Sequence, residues 1–465
     1  MLAVFPDPDE QHVQLGILSA SEGISVCLNL DALVLRHSAV VGATGSGKTS
    51  AVASTLQELV RGGWKAANIV VIDPHGEYAR ALETSASVRR VLESEDRALD
   101  VPFWALPAED ILRAFIGTAG ATAARRFSEL VTEARREFVE KSDWLDLDPA
   151  QVTSDIPVPF DLHKVWYRLA YENSATYLKT GDESSVRITD AGDADSLKPP
   201  QFEPYGAGST PPNQGPYFNT YGSVPNQLRL GLLDPRLRFL HRAAAPAEGP
   251  DPLVRATQEW LGCTKAISVL DFSGVPAQAS DVAIGAILTL LFELALRSSP
   301  EGPGIGRPHP VLLVLEEAHR YLGQEAAASA REATSKIARE GRKYGVGLML
   351  VSQRPSELPD TALSQCGTLI ALRLTNSSDQ GRIRSALPDS IEGLSAVLPS
   401  LRTGEALVSG EAITLPARVL VNRPNPMPQS EDPSTEVWRR EKELPDVTVA
   451  LLEWRGVYQE EKEAK

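Results

Sequence analysis

Short and nearly continuous apolar runs recur along the chain, and several end abruptly in a polar residue or glycine. These runs are Ala39–Val41, Ile69–Ile72, Ile267–Leu270, Val311–Leu315, Val346–Val351 and Leu369–Leu372. Segments with a helical pattern separate them. A strand that is apolar at every position is buried on both faces, which is typical of a parallel sheet covered by helices. The pattern predicts an α/β fold with a mostly parallel sheet.

Two regions interrupt this alternation. Thr122–Lys141 is amphipathic with helical spacing, and Asp161–Leu178 is similar, which predicts a helical insertion between core strands. Asp190–Val224 is rich in Pro, Gly, Asn and Tyr, so it predicts a long surface loop that builds no core, with disorder as an alternative. Glu431–Lys465 carries an excess of acids and predicts a solvated tail, in which Val447–Trp454 docks as a short helix or strand.

The 465 residues include 46 Lys and Arg against 61 Asp and Glu, a formal net charge of −15. This excludes a basic, histone-like coat on nucleic acid. The longest apolar stretch, Val282–Leu296, contains Glu293 and falls short of the roughly 18 residues that span a bilayer, so a buried helix is expected. No secretory signal is visible, and Cys27, Cys263 and Cys366 lack CxxC spacing. We therefore expect a cytoplasmic protein without a membrane anchor, a disulfide framework or a zinc knuckle.

The segment Gly42–Thr49 reads GATGSGKT and fits the phosphate-binding pattern G-x-x-x-x-G-K-[ST]. It follows the apolar run Ser38–Val41 and precedes the helix-compatible Ser50–Val60. Glycines let successive N–H groups face the phosphates of ATP, a lysine reaches the β- and γ-phosphates, and a threonine hydroxyl ligates Mg²⁺. A glycine-rich turn without function is the alternative. The predicted nucleotide-binding residues are Gly42, Ala43, Thr44, Gly45, Ser46, Gly47, Lys48, Thr49 and Ser50.

The run Val311–Leu315 ends in two acids, Glu316 and Glu317, which is the form of a Walker B strand. A buried strand delivers its terminal carboxylates to the edge of the sheet where ligands bind. We assign Glu316 to the Mg²⁺ shell, together with Thr49, and Glu317 to polarising the attacking water. Alternatively, the two acids simply open a helix, since Asp and Glu favour the first turn.

A second apolar strand ends in an acid at Asp73 and competes for the Walker B role. Asp73 lacks an adjacent second carboxylate and is followed by Pro74, so we expect an accessory strand beside the P-loop strand. Asp73, His75 and Glu77 are then also expected to bind the nucleotide, with His75 and Glu77 near the γ-phosphate side. For His75, a turn histidine without function is an equal alternative.

Basic residues precede the strand Val346–Val351, and an amide follows it. Arg339 and Arg342 have the spacing of a helix end, where an arginine can reach into a neighbouring subunit's active site as a finger. A solvated basic helix face is the alternative. Gln353 ends the strand next to the proposed Walker B strand and is a candidate γ-phosphate sensor, with a satisfied loop amide as the alternative.

Five motifs in order, GATGSGKT, VVIDPHGEYA, VLLVLEEAHRYL, AREGRKYGVGLMLVSQRP and ALRLTNSSDQ, resemble the HerA family of hexameric ATPases in the HerA/FtsK superfamily. The resemblance covers about Leu30 to Arg423. It implies a RecA-like P-loop core, a homo-hexameric ring, and ATP-driven translocation on double-stranded DNA. It also implies a separately encoded partner, a NurA-like nuclease or another effector such as a SIR2-type protein, in DNA end processing or anti-phage defence.

The same resemblance assigns roles to individual residues. It makes Lys48 and Thr49 nucleotide ligands, Glu317 the catalytic base, Gln353 the sensor and either Arg339 or Arg342 the finger. A hairpin within Gly404–Leu420, turning at Ser409–Glu411, is implied to lie near the nucleotide.

One departure from the family concerns the start of the chain. Members usually carry an N-terminal β-barrel, and only about forty residues precede the P-loop here, so we expect a truncated or absent barrel. Strands are expected at His12–Leu18 and Ile24–Leu28. The predicted units are residues 1–32 as a β segment, 33–120 and 225–425 as the ATPase core, 121–224 as the insertion, and 426–465 as the tail.

Three functions remain open from the sequence. The first is a DNA translocase, the second is an ATP-binding ring that scaffolds and regulates an effector, and the third is a secretion or conjugation motor, weakened by the lack of a membrane segment. The histidines are scattered and no second carboxylate cluster is visible. Any cleavage of nucleic acid is therefore expected from a partner.

Overall fold

The structure of the chain is a computed structural model. It describes residues 9, 11–21, 23–91, 97–179, 182–206, 212–241, 249–323, 328–387, 389–429, 435–439, 444 and 446–455. Parts of all four predicted units lie outside the described residues. These are 1–8, 10 and 22 of the N-terminal segment, 92–96, 242–248, 324–327 and 388 of the ATPase core, 180–181 and 207–211 of the insertion, and 430–434, 440–443, 445 and 456–465 of the tail.

The described residues form fifteen strands. In chain order they are β1 (His12–Leu18), β2 (Ser25–Asn29), β3 (Ser38–Val41), β4 (Asn68–Asp73), β5 (Ala86–Arg90), β6 (Thr176–Tyr177), β7 (Ile188–Asp190), β8 (Gln201–Phe202), β9 (Asn213–Gln214), β10 (Ile267–Asp271), β11 (Val311–Leu315), β12 (Val346–Ser352), β13 (Thr368–Ala371), β14 (Glu405–Gly410) and β15 (Ala417–Val421). Eleven of them make one sheet in the order β2-β1-β15-β14-β13-β3-β12-β11-β4-β10-β5.

Fifteen α-helices lie between or after these strands in the described residues. They are α1 (Leu30–Leu35), α2 (Lys48–Arg61), α3 (Ala79–Leu82), α4 (Ala108–Ile116), α5 (Ala121–Lys141), α6 (Leu162–Ser174), α7 (Val224–Leu233), α8 (Arg238–His241), α9 (Pro252–Trp260), α10 (Ala277–Arg297), α11 (His319–Leu322), α12 (Ala328–Tyr344), α13 (Asp360–Ser364), α14 (Ser377–Ala386) and α15 (Thr448–Trp454). The predicted α/β class is confirmed.

The strands from β13 to β5 in the sheet order run parallel, and β14, β15, β1 and β2 continue the sheet antiparallel. All six apolar runs singled out in the sequence are parallel strands. One expected position is wrong, because β4 does not lie beside the P-loop strand β3. The two sides of β3 are taken by β12 and β13, so β4 pairs with β11 and β10 instead. Asp73 therefore ends next to the Walker B strand.

The parallel strands are buried on both faces, which explains their continuous apolar runs. In β4, Ile69 and Val71 pack into one core while Val70 and Ile72 pack into the other. Helices α1, α2 and α3 cover the first face, and α4 to α10 with α12 cover the second. Alternate side chains of one strand thus hold two helical layers onto the sheet.

Helix α10 is long and apolar enough to cross a membrane by length and composition alone, but 72% of its apolar window is buried inside the protein. It packs against α12 and α4. Helix α10 is therefore a core helix, which confirms the buried helix predicted for Val282–Leu296.

The insertion contains the two predicted amphipathic helices, α5 and α6, packed against each other. Arg135 of α5 is fully buried, and its guanidinium donates hydrogen bonds to the carbonyl oxygens of Trp104 at 2.7 Å and Leu106 at 2.8 Å. The expectation of a coreless loop at Asp190–Val224 is wrong for its described part. It pairs in short strands, and Leu197 and Tyr221 are buried in the main core, because isolated apolar residues in a polar segment still anchor it.

Strands β1 and β2 lie where the sequence predicts N-terminal strands. They form a hairpin whose β1 pairs with β15, so residues 12–29 extend the main sheet and do not form a separate barrel. We call β14, β15, β1 and β2 together the antiparallel wing.

A buried ion pair lies in the antiparallel wing. The carboxylate of Glu405 is fully buried and accepts hydrogen bonds from Arg418 Nε at 2.6 Å and Nη2 at 2.9 Å. It also accepts hydrogen bonds from the Ser19 hydroxyl and, at 3.0 Å, from the backbone N–H of Arg402. Burial alone would raise the pKa of Glu405, but the bonds from Arg418 and Ser19 outweigh it and lower the pKa to about 2.

Replacing Arg418 with Met should destabilise the protein strongly at neutral pH, because the buried carboxylate of Glu405 then keeps only one cation among the described residues, the largely exposed Arg402, whose Nε lies 3.5 Å from Oε2. We expect a loss of about 3–5 kcal/mol in the free energy of unfolding, measured by urea titration. Since the folded pKa of Glu405 lies below its unfolded value of about 4.3, the native pair stabilises the protein above that pH and is lost as pH falls toward 2.

The difference between Arg418→Met and wild type should therefore shrink as pH falls from neutral toward about 2, because burial raises the pKa of the unpaired Glu405 and lets it take up a proton before the paired one does. Arg402→Met is the matched comparison, since it removes only the longer, 66% exposed ion pair at 3.5 Å and keeps the backbone bond to Glu405. It should cost much less free energy of unfolding than Arg418→Met. A pH-independent loss in Arg418→Met would contradict this account.

Candidate nucleotide-binding site

The P-loop connects β3 to α2 at the carboxyl edge of the parallel strands. Gly45 and Gly47 have φ angles of 70° and 97°, in the left-handed region that favours glycine. A Cβ on Gly47 would also lie 3.2 Å from the backbone nitrogen of Gly404. Both glycines are thus required by the backbone path that the sequence motif predicts.

The loop presents several backbone donors that have no protein partner. Within the part of the chain that the structure describes, the N–H groups of Thr44, Gly45, Gly47 and Lys48 donate to no acceptor. They surround the N-terminus of α2, a fourteen-residue helix whose dipole favours an anion at this end. The geometry is that of a cradle for phosphate groups.

Two residues following the P-loop glycines lie at the base of the cradle. Lys48 is 7% exposed, and it forms no ion pair with a described carboxylate. The hydroxyl of Thr49 donates to Glu77 Oε2 at 2.7 Å. Thr49 and Glu77, which were predicted separately from the sequence, are therefore brought together.

Asp73 organises the loop that carries His75 and Glu77. Its carboxylate accepts hydrogen bonds from the backbone N–H groups of His75 at 3.2 Å, Gly76 at 2.9 Å and Tyr78 at 2.9 Å. Burial raises the pKa of Asp73 to about 6, with the charge of Asp271 adding to the rise and the Tyr78 bond opposing it. Its structural contacts are those of a loop anchor, while His75 is exposed.

Glu316 directly follows β11 and is almost completely buried. Tyr78 donates its hydroxyl to Glu316 Oε2. Burial raises the pKa of Glu316 to about 8, opposed by the Tyr78 bond and the charge of Lys48, while Glu317 raises it further. No hydrogen bond joins Glu316 to Thr49 among the described residues, so its place in a metal shell stays a prediction.

Glu317 has a backbone conformation that is uncommon for a residue with a side chain, with φ of 53°. Such conformations cost free energy and cluster at functional sites. Its Oε2 lies 3.1 Å from His319 Nδ1, an ion-pair distance without hydrogen-bond geometry, so this buried oxygen has no directed donor in the described residues. Burial opposes ionisation, but His319 and Lys48 outweigh it and lower the pKa of Glu317. An ionised carboxylate oxygen that accepts no hydrogen bond from the described part of the protein is suited to accept a proton from water.

Gln353 follows β12, which lies between the P-loop strand and the Walker B strand. Its Oε1 accepts a hydrogen bond from the Thr44 hydroxyl at 2.6 Å. The side-chain amide thus contacts the P-loop directly, and its role as a γ-phosphate sensor stays a prediction.

Arg339 and Arg342 are not brought to this site within one chain. Both are exposed on the last turns of α12, which leads into the amino end of β12. The P-loop lies at the carboxyl end of the same sheet. Any contact of these arginines with a nucleotide has to come from a second subunit.

Three contributors to the site were missed in the sequence. Tyr78 donates to Glu316, His319 lies beside Glu317, and Asp271 ends β10 and faces the Asp73 loop. Two of them had a signal in the sequence, since Ile267–Leu270 is an apolar run ending in an acid and His319 follows Glu317 by two residues. Tyr78 depends on a contact between segments that are distant in sequence.

Gly404 begins the segment that was expected near the nucleotide. Its N–H donates to the P-loop carbonyl of Ser46 at 2.9 Å.

The oxygen groups at the site fit Mg²⁺ bound together with a nucleotide. No group of three or more His, Cys, Asp or Glu side chains among the described residues is arranged to hold a metal on its own. Magnesium in nucleotide sites needs only one or two protein oxygens, with phosphate and water supplying the rest. Thr49 Oγ1 and Glu77 Oε2 provide such a pair.

Substitutions of Lys48 and Glu317 should separate binding from hydrolysis. Lys48→Ala should lose ATP binding, because the buried charge for the phosphates is gone. Glu317→Gln should keep binding but reduce ATP turnover by about 10²–10⁴-fold, the usual contribution of a general base. Phosphate release and equilibrium binding of a fluorescent ATP analogue measure the two effects.

Glu340→Gln is the control for Glu317→Gln, since it removes an exposed carboxylate of α12 at the opposite edge. If Glu317→Gln turned over ATP at the rate of Glu340→Gln, Glu317 would not be the base.

The fold is shared with a solved structure. The structure of VirB4 of Thermoanaerobacter pseudethanolicus superposes with a TM-score of 0.54 at 14% sequence identity, covering 89% of this chain and 97% of that chain. At this identity the likeness concerns the fold alone. It agrees with a RecA-like core built on a mostly parallel sheet.

Family comparisons concern most of the chain. The family described as the HerA helicase central domain matches residues 13–291, and the HerA-like C-terminal domain matches residues 246–428. The DNA double-strand break repair helicase HerA of Pyrococcus furiosus is 27% identical over 437 residues, covering 88% of this chain and 69% of the relative. The protein of the same name from Sulfolobus acidocaldarius is 26% identical over 449 residues, covering 95% and 76%. With its complete P-loop and Walker B edge, the chain belongs to the HerA family and is a P-loop ATPase.

Proposed function

We propose that the protein is an ATP-driven motor that translocates on double-stranded DNA as a homo-hexameric ring. It would work with a separately encoded nuclease or other effector, in DNA end processing or anti-phage defence. The relatives are named as DNA repair helicases, which supports duplex DNA as the track. The site described above supports ATP hydrolysis as the source of energy.

We propose ATP with Mg²⁺ as the bound species. When bound, Mg²⁺ neutralises charge on the β- and γ-phosphates, and Thr49 with Glu77 or Glu316 would hold it. The protein's own groups do the remaining work. The free N–H groups of the P-loop and Lys48 bind phosphate, Glu317 orients and deprotonates water, and Gln353 contacts the γ-phosphate side.

The observation that carries the ring is the position of the arginines. Arg307, Arg339, Arg342 and Lys343 lie at the amino edge of the sheet, and in the described chain no carboxylate forms an ion pair with any of them. Arg307 and Lys343 both stack on Tyr344, at 5.2 and 5.3 Å from its ring. Unpaired cations in a chain of net charge −15 favour an anionic partner. A neighbouring subunit's nucleotide is such a partner.

The distance across the sheet excludes the subunit's own nucleotide as that partner. Strand β12 has seven residues and separates the arginine-bearing helix end from Gln353. A strand of this length spans roughly 20 Å, which is beyond the reach of an arginine side chain. The geometry therefore favours action in trans.

Duplex DNA should accelerate ATP turnover, because a motor couples hydrolysis to movement along its track. We expect turnover to rise several-fold with blunt duplex DNA at low salt and the effect to decline with added salt, as phosphate contacts require. Particle mass, measured with and without nucleotide, should correspond to six chains.

An ATP-binding scaffold makes the opposite prediction. In that case turnover would be unchanged by DNA, and a Lys48→Ala ring would still assemble with its partner and retain the partner's output. Either result would reject the motor and favour the scaffold.

Mixing two inactive variants should restore ATP turnover if the arginines act in trans. Lys48→Ala cannot bind ATP, and the double variant Arg339→Ala/Arg342→Ala lacks the finger, which contributes about 10³–10⁵ in rate. In an equal mixture, about one quarter of the interfaces combine an intact P-loop with an intact arginine, by one half times one half. Turnover should recover to about that fraction of wild type.

Arg125→Ala is the control variant, since Arg125 is 79% exposed on the insertion helix α5. It should retain full turnover alone. No recovery in the mixture, with ring mass preserved, would exclude a finger in trans.

A further inference from the structure

After β15 the chain turns back across the P-loop helix. The segment Asn422–Gln429 leaves the antiparallel wing, where the N–H of Asn422 donates to Leu15 O at 3.0 Å. Pro424 and Pro428 are buried, whereas the side chains between them are exposed. We call Asn422–Gln429 the strap.

Gln57 joins the strap to the P-loop helix. It lies on α2, two turns after Thr49, and is 6% exposed. Its Oε1 accepts a hydrogen bond from the N–H of Asn425 at 2.8 Å, and its Nε2 donates to Pro426 O at 3.0 Å. A buried amide satisfied in this way fixes the strap in one position, since an unpaired buried polar group is costly.

The same amide also holds the far end of the Asp73 loop. Gln57 Nε2 donates to Ala81 O at 2.7 Å, in the short helix α3 that follows Glu77. One side chain therefore ties together three segments that are far apart in sequence: the P-loop helix, the helix after the Glu77 loop, and the strap.

The strap contacts the Glu77 loop a second time. The N–H of Gln429 donates to the backbone carbonyl of Glu77 at 2.9 Å. The side chain of the same glutamate accepts the hydrogen bond from Thr49, the hydroxyl at the base of the phosphate cradle. The buried carboxylate of Asp73 holds the backbone N–H groups of this loop, and the N–H of Gln429 in the strap holds its carbonyl at Glu77. The position of the Glu77 carboxylate depends on both.

We propose that Gln57 is a positioning residue for ATP hydrolysis. It clamps the strap, the strap holds the backbone of Glu77, and Glu77 keeps the Thr49 hydroxyl oriented for the metal–nucleotide complex. The proposal rests on hydrolysis at this P-loop and is independent of ring size and of DNA. The strap, which follows all five motifs quoted from the sequence, would thus help to set the catalytic geometry.

The test uses two positions on the full chain. Gln57→Met keeps the side-chain volume and removes its hydrogen bonds. At position 429, Gln429→Pro removes the side chain and the N–H that bonds Glu77 O and fixes the backbone φ. Gln429→Ala is its matched control because it removes the side chain but keeps that N–H. ATP turnover is measured against ATP and against Mg²⁺, with the melting temperature recorded for each variant.

We expect Gln57→Met and Gln429→Pro to lower kcat by about 3- to 10-fold, the rate equivalent of one hydrogen bond, and to raise the Mg²⁺ concentration for half-maximal rate. KM for ATP should stay within about twofold of wild type, because Lys48 and the P-loop N–H groups are untouched. Gln429→Ala should match wild type. Combining Gln57→Met with Gln429→Pro should add little, since both act through the strap.

Two outcomes would overturn the proposal. One is equal kcat and Mg²⁺ dependence in Gln429→Pro and Gln429→Ala. The other is a loss of rate that follows the melting temperature, with an unchanged Mg²⁺ requirement. Lys48→Ala supplies the background rate of ATP turnover. If wild type turned over ATP no faster than Lys48→Ala, ATP hydrolysis itself would be refuted. If wild type were active and the strap variants had wild-type kinetics, only the role of Gln57 would be refuted.

Discussion

A parallel sheet that is buried on both faces leaves one place for charged chemistry, the edge where its strands end. Along β3, β12, β11, β4 and β10 the side chains alternate between two apolar cores, so no ionised group can be placed within a strand without losing water on either side. Acids accumulate at the carboxyl edge as Asp73, Asp271 and Glu316. Their crowding and burial raise the pKa values of Asp73 and Glu316. Lys48, close to these acids, partly compensates their charge.

The nucleotide site is supported from the side of the antiparallel wing as well as by its own strands. Gly404 donates to the carbonyl of Ser46, and the Thr403 hydroxyl lies 3.4 Å from the carbonyl of Gly45. The next residue, Glu405, is the buried carboxylate held by Arg418. The ion pair of the wing therefore sets the position of a turn that touches the P-loop. Stability of the wing and the shape of the phosphate cradle are linked through three consecutive residues.

Local patterns predicted the strands and the P-loop because both are encoded within a few consecutive residues. Buried strands are visible in the sequence as apolar runs, and the left-handed backbone at position 47 is visible as a glycine of the P-loop motif. The order of strands in a sheet depends on contacts between distant segments, so the sequence did not predict that β4 lies away from β3. The same holds for Gln57, an ordinary helix residue until the strap, more than 360 residues later, supplies its partners. Leu197 and Tyr221 show the reverse error, since the loop-like composition of their segment hid residues that anchor it to the core.

Strand β12 connects the two functional edges of the subunit. It begins four residues after Arg342, ends immediately before Gln353, and is held on one side by the Walker B strand and on the other by the P-loop strand. A buried strand paired on both sides does not stretch, so displacement at one end is carried to the other. In the proposed ring, the arginine contacts the neighbour's nucleotide and the glutamine contacts the subunit's own. One rigid element would then report the state of each site to the next around the ring.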